Sequence, residues 1–196
     1  MITTKSELKY YLAQDAIALR CEGRKHPRLI GDEVWKFQII LRKTEYYNNL
    51  YKNRKKQYVF HRAWYKFLFH KHSVKLGFSI PLNVFGPGLS IAHYGTIVVN
   101  SAAKVGKNCR IQEGVNIGAT NGSVSAPVIG DNVFIGTGAK IIGDISIADD
   151  VAIGANAVVV KSITEKGVTY GGVPAKKISS NSSRSNLASA LFEQKV

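Results

Sequence analysis

The stretch LSIAHYGTIVVN, residues 89–100, places a histidine among aliphatic residues, and His93 is the only histidine after residue 72. An imidazole titrates near neutral pH and can take a proton from a hydroxyl group within hydrogen-bond distance. Counted in sixes, His93 stands one block before Val99, at an inward-facing place where an unpaired imidazole is costly to bury. We interpret His93 as a candidate general base; a packing role stays open.

Other reactive groups are weaker candidates. The two cysteines, Cys21 and Cys109, have neither CxxC nor Cys/His spacing, so we predict no disulfide scaffold and no metal site. Cys109 as a covalent nucleophile has Arg110 as its only charged neighbour, and Ser90 lacks the sequence of a nucleophile elbow. The G-x-G in GTGAKIIG lies inside a repeat and does not join a strand to a helix, so it is not a dinucleotide motif.

The second half of the chain repeats every six residues. From Val99 the blocks are VNSAAK, VGKNCR, IQEGVN, IGATNG, SVSAPV, IGDNVF, IGTGAK, IIGDIS, IADDVA, IGANAV and VVKSIT. All but one begin with valine or isoleucine, a period that fits a short strand followed by a corner. Three such faces make a turn of about 18 residues, so residues 78–173 predict a parallel β-helix of about five turns. The exception begins at Ser123, in a Gly-, Ser- and Asn-rich stretch that predicts a loop, either at a binding face or simply on the surface.

Residues 1–75 differ in composition. They contain two glycines and 17 of the 27 Lys and Arg residues, against 6 of the 13 acidic ones, so most of the +14 net charge lies there. Mixed aliphatic, aromatic and charged segments, and a capping-box pattern at Thr4 and Glu7, predict helices. We expect a basic α-helical region (1–75), a β-helix domain (76–178), and a polar linker with a C-terminal tail (179–196).

Several segments resemble the hexapeptide-repeat acetyltransferases, and within them the serine O-acetyltransferases and their relatives of surface-polysaccharide assembly. These segments are HYGTIVVN, CRIQEGVNIGATNG, APVIGDNVFIGTGAKIIGDI, VAIGANAVVVKSI and GGVPAKKI, and the resemblance covers residues 78–178. The resemblance implies a mainly β fold, a left-handed parallel β-helix with an α-helical N-terminal part. It also implies a homotrimer, acetyl-CoA as co-substrate, no metal, and His93 as the general base.

The resemblance implies contacts for both substrates. Backbone groups would line the pantetheine arm, and the segment GGVPAKK would lie near the adenine end, although its two lysines could equally be solvated. The predicted cofactor contacts are Gly118, Gly138, Ala139, Ala157, Pro174, Ala175, Lys176 and Lys177. The predicted substrate contacts are Asn116, Glu113 and Asn121, of which Asn116 or Glu113 could also orient His93.

Acceptor positions depart from the serine acetyltransferase pattern. That family has aspartates at the places of Ala92 and Phe78, and Arg-His-Pro at residues 125–127, where this chain has Ser-Ala-Pro. An amino-acid acceptor needs a carboxylate for its ammonium group and a cation for its carboxylate. We therefore predict a sugar hydroxyl of a surface polysaccharide or its precursor as acceptor. Serine acetylation and a non-catalytic trimeric scaffold are the alternatives.

The segment YKNRKKQYVFHRAWYKFLFHKHSVK, residues 51–75, interleaves basic and aromatic residues. We expect it mainly to pack as a helix and to support oligomerisation, with contact to a membrane or a lipid-linked glycan as the alternative. We do not expect nucleic acid as a partner, because no recognisable binding motif accompanies the charge. No signal-peptide pattern and no apolar run of about 18 residues occurs, so we expect a cytoplasmic protein, with a peripheral position at the inner membrane surface as the alternative.

Overall fold

The computed structural model describes residues 1–53, 55–120 and 122–193. Three helices come first: α1 (Lys5–Ala18), α2 (Glu33–Lys52) and α3 (Val59–Leu76), with a 3-10 turn at Lys56–Tyr58. The predicted capping box starts α1, since the Glu7 N–H donates to Thr4 Oγ1 (3.1 Å) and the Thr4 N–H donates to the Glu7 carboxylate (2.9 Å). Gly77 follows α3 with φ 77°, a conformation that glycine adopts without steric cost.

Short strands make up most of the remaining chain. In the described residues they are β1 (Phe78–Ser79), β2 (Ser90–Ile91), β3 (Ile97–Val99), β4 (Lys104–Val105), β5 (Arg110–Ile111), β6 (Asn116–Gly118), β7 (Val128–Ile129), β8 (Phe134–Ile135), β9 (Lys140–Ile142), β10 (Ser146–Ile147), β11 (Ala152–Ile153), β12 (Val158–Val159), β13 (Thr169–Gly171) and β14 (Lys176–Ser179). Sheet A has the order β1-β3-β6-β9-β12, sheet B β10-β7-β4, and sheet C β14-β13-β11-β8-β5-β2. All pairs are parallel except β13 with β14.

The coils stack with their aliphatic residues aligned. Ile111 pairs with Ile135 and Ile135 with Ile153 in sheet C, and Ile117 pairs with Ile141 in sheet A. All ten valines and isoleucines that begin the sequence blocks are buried, none more than 5% exposed. Ser123 lies exposed in the loop between β6 and β7. The predicted fold is confirmed: a left-handed parallel β-helix preceded by an α-helical part.

One column of corners, between sheets B and C, uses a ladder of polar side chains. Asn108, Asn132 and Asp150 have φ between 57° and 59°, a left-handed conformation that Asn and Asp tolerate better than other side chains. Asn108 Nδ2 donates to Asn132 Oδ1 (2.8 Å), and Asn132 Nδ2 donates to Asp150 Oδ1 (3.0 Å). The turn conformation and the contact between coils therefore depend on the same residues.

The helical region joins the first coil through Arg42 on α2. Its fully buried guanidinium donates to Asp15 Oδ2 (2.8 Å) and Glu45 Oε2 (3.1 Å), and to the carbonyl oxygens of Phe85 (2.9 Å) and Gly86 (2.7 Å). Burial acts to lower the pKa of Arg42, but the charges of Asp15 and Glu45 outweigh it and raise the pKa above its ordinary value. We conclude that the charged cluster ties both helices to the coil.

The C-terminal tail runs back along the β-helix. It contains a 3-10 helix at Ser183–Asn186 and the short helix α4 (Ala190–Glu193), which contacts α1. Ser183 is fully buried and its N–H donates to the Asp150 carbonyl oxygen (3.0 Å). Arg184 pairs with the Asp150 carboxylate (3.1 Å). Among the described residues, every helix is too short or too polar to span a bilayer.

Candidate functional site

His93 lies in the corner between β2 and β3, and this corner is two residues longer than the one stacked on it. Ile91 and Ile97 bracket it six residues apart, whereas their partners Ile111 and Val115 are four residues apart. The extra residues push the corner outward, so His93 is exposed. The predicted inward-facing place for His93 is therefore wrong. Exposure also removes the packing interpretation and leaves the imidazole open to a substrate.

No hydrogen bond links the His93 ring to any residue that the structure describes, Asn116 and Glu113 included. Glu113 nevertheless lies next to the same corner, because a Cβ built on Gly95 would be 3.0 Å from Glu113 Cβ. Glu113 Oε2 is buried and has no hydrogen-bond partner within the described chain. A buried carboxylate oxygen without a donor is costly, so this oxygen is available to a cationic or N–H group of a ligand.

The predicted pantetheine contacts stack below this corner. The Gly138 N–H donates to the Glu113 carbonyl oxygen (2.8 Å), which places Gly138 in the next coil of the same column. Ala139 and Ala157 are fully buried, and their carbonyl oxygens accept from the N–H groups of the neighbouring coils. Gly118 ends β6 and is half-buried. The fold thus brings Gly138 into line with His93, while the two alanine side chains face the core. Their contacts with a cofactor stay predictions.

The predicted adenine-end segment lies at the far end of the β-helix. The Ala175 N–H donates to the Val158 carbonyl oxygen (2.8 Å), and Pro174 before it is exposed. The Lys177 amino group pairs with Glu165 (2.7 Å), whereas exposed Lys176 has no acidic partner among the residues described. Lys176 is therefore the freer of the two lysines for a phosphate group. The predicted contact at Asn121 lies outside the described residues.

The competing nucleophiles lie in the core. The Cys109 thiol is 1% exposed, and burial raises its pKa to about 12, so it carries almost no thiolate at neutral pH. Ser90 is 3% exposed, and its hydroxyl accepts a hydrogen bond from Arg110 (3.3 Å). The Cys109 thiol is thus closed off from a substrate, and the Ser90 hydroxyl has no neighbouring base among the residues described that could activate it. Within the described ranges, no three His, Cys, Asp or Glu side chains come close enough to hold a metal ion.

Sequence analysis missed two arginines beside the His93 corner. Arg20, just after α1, and Arg110, on β5, line one cavity together with Ser90 and Ala92. Arg110 directly precedes an aliphatic block start, a signal that it faces outward from its strand. No sequence pattern indicates that Arg110 and Arg20 line the same cavity, because the end of α1 and a distant coil come together only in the folded chain.

Comparison with known proteins gives a consistent result. The family profile "Bacterial transferase hexapeptide (six repeats)" matches residues 126–161. The crystal structure of serine acetyltransferase from Brucella abortus strain S19 superposes with a TM-score of 0.69 and 30% identity, over 90% of this chain and 71% of that one. This chain belongs to the hexapeptide-repeat acetyltransferases. A second structure of the Brucella abortus enzyme, in complex with coenzyme A, superposes on this hexapeptide-repeat acetyltransferase with a TM-score of 0.70 and 30% identity, over 90% of this chain and 70% of that one.

Curated relatives of this hexapeptide-repeat acetyltransferase are also serine acetyltransferases. The Mycobacterium tuberculosis enzyme is 41% identical over 100 residues, which cover 50% of this chain and 43% of the relative. The Staphylococcus epidermidis enzyme is 36% identical over 118 residues, which cover 56% of this chain and 55% of the relative. The chain spans about half the length of the curated relatives it matches.

The predicted polysaccharide acceptor is wrong, because these relatives and structural neighbours are serine acetyltransferases. The inference compared Ala92, Phe78 and residues 125–127 with the family pattern one position at a time. Phe78 is indeed buried, with its ring 4.9 Å from that of Phe37, and offers no charge. However, Glu113 and Arg110 lie close to the His93 corner on the next coil. Charges for an amino acid can thus come from the neighbouring coil, outside the family positions compared above.

Proposed function

We propose that this protein is an acetyl-CoA-dependent acyltransferase that acetylates the hydroxyl group of L-serine, with His93 as the general base. The observation that carries the proposal is the exposed histidine on an extended corner, in a fold that matches serine acetyltransferase over 90% of this chain. The comparison with the coenzyme A complex supports acetyl-CoA as the co-substrate.

Acetyl-CoA brings an already activated thioester, so the protein has to supply a base and hold the two substrates together. His93 removes the proton from the acceptor hydroxyl as its oxygen attacks the thioester carbonyl. The new C–O bond forms, the C–S bond breaks, and the proton on His93 returns to the departing thiolate. The column of corners that contains Gly138 fits an extended cofactor arm, because it presents glycine backbone in line with His93. Exposed Lys176, which has no acidic partner among the described residues, is the proposed cation for the phosphate groups of the cofactor.

Glu113 is the proposed partner of the acceptor's ammonium group. Its Oε2 atom is buried without a donor in the described chain, next to the corner that carries His93. An ammonium group placed there would supply the missing hydrogen bond. The aligned aspartates of the family are then replaced by one carboxylate from the neighbouring coil.

The test measures CoA thiol release with L-serine as acceptor. His93→Ala should lower kcat/KM by roughly 10²- to 10⁴-fold, the usual contribution of a general base. His26→Ala is the matched control, since His26 is also exposed but lies in the segment between α1 and α2. Unchanged turnover in His93→Ala would contradict the assignment of the base. Absence of thiol release with serine in the native protein would reject the acceptor and favour a scaffold.

A second variant tests the role of Glu113. Glu113→Gln should raise KM for L-serine by roughly tenfold or more and leave KM for acetyl-CoA unchanged, because a charged hydrogen bond is lost at the acceptor alone. Asp131→Asn serves as its control, because Asp131 pairs with Lys107 in the column of corners between sheets B and C, which does not contain His93. An equal rise in both KM values would instead indicate a general distortion of the site.

We propose that three copies assemble, as the resemblance implies. Val98 and Val160 near sheet A are 39% and 48% exposed. They offer an apolar surface that a coil of a second copy could cover. Sedimentation equilibrium should give the mass of three chains. A monomer that retains full turnover would contradict the requirement for assembly.

We also propose that α3 contacts an anionic lipid surface. Phe60, Trp64, Phe67 and Val74 lie on one face of this helix and are 58–83% exposed. The helix contains four Lys and Arg residues and no acidic residue. Exposed aromatic side chains with a basic flank fit the interface of a negatively charged membrane.

Vesicle co-sedimentation tests this contact. The protein should bind phosphatidylcholine vesicles that contain phosphatidylglycerol, and high salt or the double variant Trp64→Ser/Phe67→Ser should abolish binding. Tyr10→Ser is the control, since Tyr10 is an exposed aromatic residue on α1. If the double variant changes the sedimentation mass and the native protein binds no vesicles, the α3 face is an interface between copies and the membrane proposal fails.

A further inference from the structure

A small cavity of about 230 Å³ opens beside the His93 corner. Its polar lining consists of Arg20, Ser90, Arg110 and Asn186, and Ala92 forms its edge toward His93. These residues come from three parts of the fold: the end of α1, the first coils of sheet C, and the C-terminal 3-10 helix. All four polar side chains can donate hydrogen bonds, and the lining contains no acidic residue.

Arg110 lacks a counter-charge in the described chain. It is half-buried, and its side chain donates to the neutral Ser90 hydroxyl at 3.3 Å. By contrast, fully buried Arg42 meets two carboxylates, and half-buried Lys36 pairs with Glu33. Burial, and then the nearby charge of Arg20, lower the pKa of Arg110. The cavity therefore holds two positive charges and no negative one.

Arg20 is held where a glycine is more usual. It follows the last residues of α1 with φ 58°, and its N–H donates to the Ile17 carbonyl oxygen (2.9 Å). A side chain in this left-handed conformation costs free energy, and glycine commonly fills such places at helix ends. The arginine at this position therefore aims a cation at the cavity from a fixed turn.

We propose that Arg20 and Arg110 bind a small oxyanion, and that during turnover this anion is the acceptor's carboxylate. An oxyanion would offset the repulsion between two like charges and supply the partner that half-buried Arg110 lacks. The planar guanidinium fits a carboxylate with two parallel hydrogen bonds. The second half of the proposal rests on serine acetylation, with Glu113 as the partner of the ammonium group.

Kinetics test the role in turnover. Arg110→Met and Arg20→Met should each raise KM for L-serine by roughly tenfold to a hundredfold, with KM for acetyl-CoA unchanged. L-Serinamide lacks the carboxylate, so the native protein should use it far less well than L-serine, and Arg110→Met should remove this preference. Arg28→Met is the control, because Arg28 is exposed and pairs with Asp32 between α1 and α2. A serine preference that survives in Arg110→Met would overturn the carboxylate assignment.

Direct binding separates the anion site from the reaction. In ¹⁵N NMR spectra, the Arg110 Nε–H signal should shift on titration with L-serine or with inorganic phosphate, and the shift should be lost in Arg20→Met. If phosphate shifts the signal but serine neither shifts it nor reacts, the oxyanion site stands and the acceptor role falls. If no anion shifts the signal, the site itself is overturned, even in a protein that acetylates serine.

Discussion

The β-helix repeats one aliphatic contact from coil to coil, whereas the helical region contacts it through unlike side chains, among them the buried charged cluster around Arg42. In the coils, each isoleucine has an equivalent neighbour above and below, so the loss of one leaves the pattern in place. At the junction, one guanidinium satisfies two carboxylates and two carbonyl oxygens. The comparison shows that a repetitive core spreads its stability over many residues, while a junction between unlike elements concentrates it in a few.

The largest effect is expected at the junction. Arg42→Met should lower the free energy of unfolding by about 3–5 kcal/mol, because it leaves Asp15 and Glu45 buried without a counter-charge. Chemical denaturation followed by circular dichroism measures this loss. Arg28→Met removes an exposed arginine that also has a carboxylate partner, and should cost less than about 1 kcal/mol. Equal losses in the two variants would refute the special role of the junction.

A single coil contact comes next. Ile135→Ala should cost about 2–4 kcal/mol, since it leaves a cavity among fully buried side chains. Val128→Ala on the outward side of β7 is the matched control and should change stability by less than about 0.5 kcal/mol. Hydrogen exchange should show the loss spread over the neighbouring coils. Protection lost throughout the helical region instead would contradict the contrast between the two regions.

The polar ladder should give a smaller effect. Asn132→Ala should cost about 2 kcal/mol, because alanine is strained at φ 57° and two side-chain hydrogen bonds are lost. Asn132→Gly loses the same bonds but relieves the strain, so it should be about 1 kcal/mol more stable than the alanine variant. Thermal unfolding of both proteins separates the two contributions. An alanine variant as stable as the glycine one would show that backbone strain is negligible there.

The first helix cap should give the smallest effect. Thr4→Ala should lower the free energy of unfolding by about 1 kcal/mol, as the Glu7 N–H loses its side-chain acceptor.

The same cap should make stability depend on pH. Hydrogen bonds from the Thr3 N–H and hydroxyl, and from the Thr4 N–H, lower the pKa of Glu7 to about 2. A lowered pKa means that the stabilisation from ionised Glu7 is complete above about pH 4.5 and is lost as the pH falls through about 2. Helical circular dichroism across this range is the measurement, and a signal without pH dependence would contradict it.

Sequence reasoning succeeded where a local rule repeats. The six-residue period predicted the buried positions of the β-helix, and Thr4 with Glu7 predicted a cap, because each depends on neighbours in sequence. The predicted register at His93 was wrong, since the spacing of valines and isoleucines does not reveal two extra residues in one corner. Asp15 with Arg42, and Arg20 with Arg110, were out of reach because tertiary packing brings each pair together.

The last strand gives the β-helix a property beyond its own stability. A stack of parallel coils has open backbone N–H and carbonyl groups at each end, and identical chains could add there without limit. At the C-terminal end, β14 runs antiparallel to β13 and so ends the series of parallel strands in sheet C. At the N-terminal end, side chains of Arg42 and Gln38 form hydrogen bonds with backbone groups of the first coil. In sheet C, both ends are thereby covered against addition of a parallel strand from a second chain. A chain truncated before β14 should therefore associate end to end.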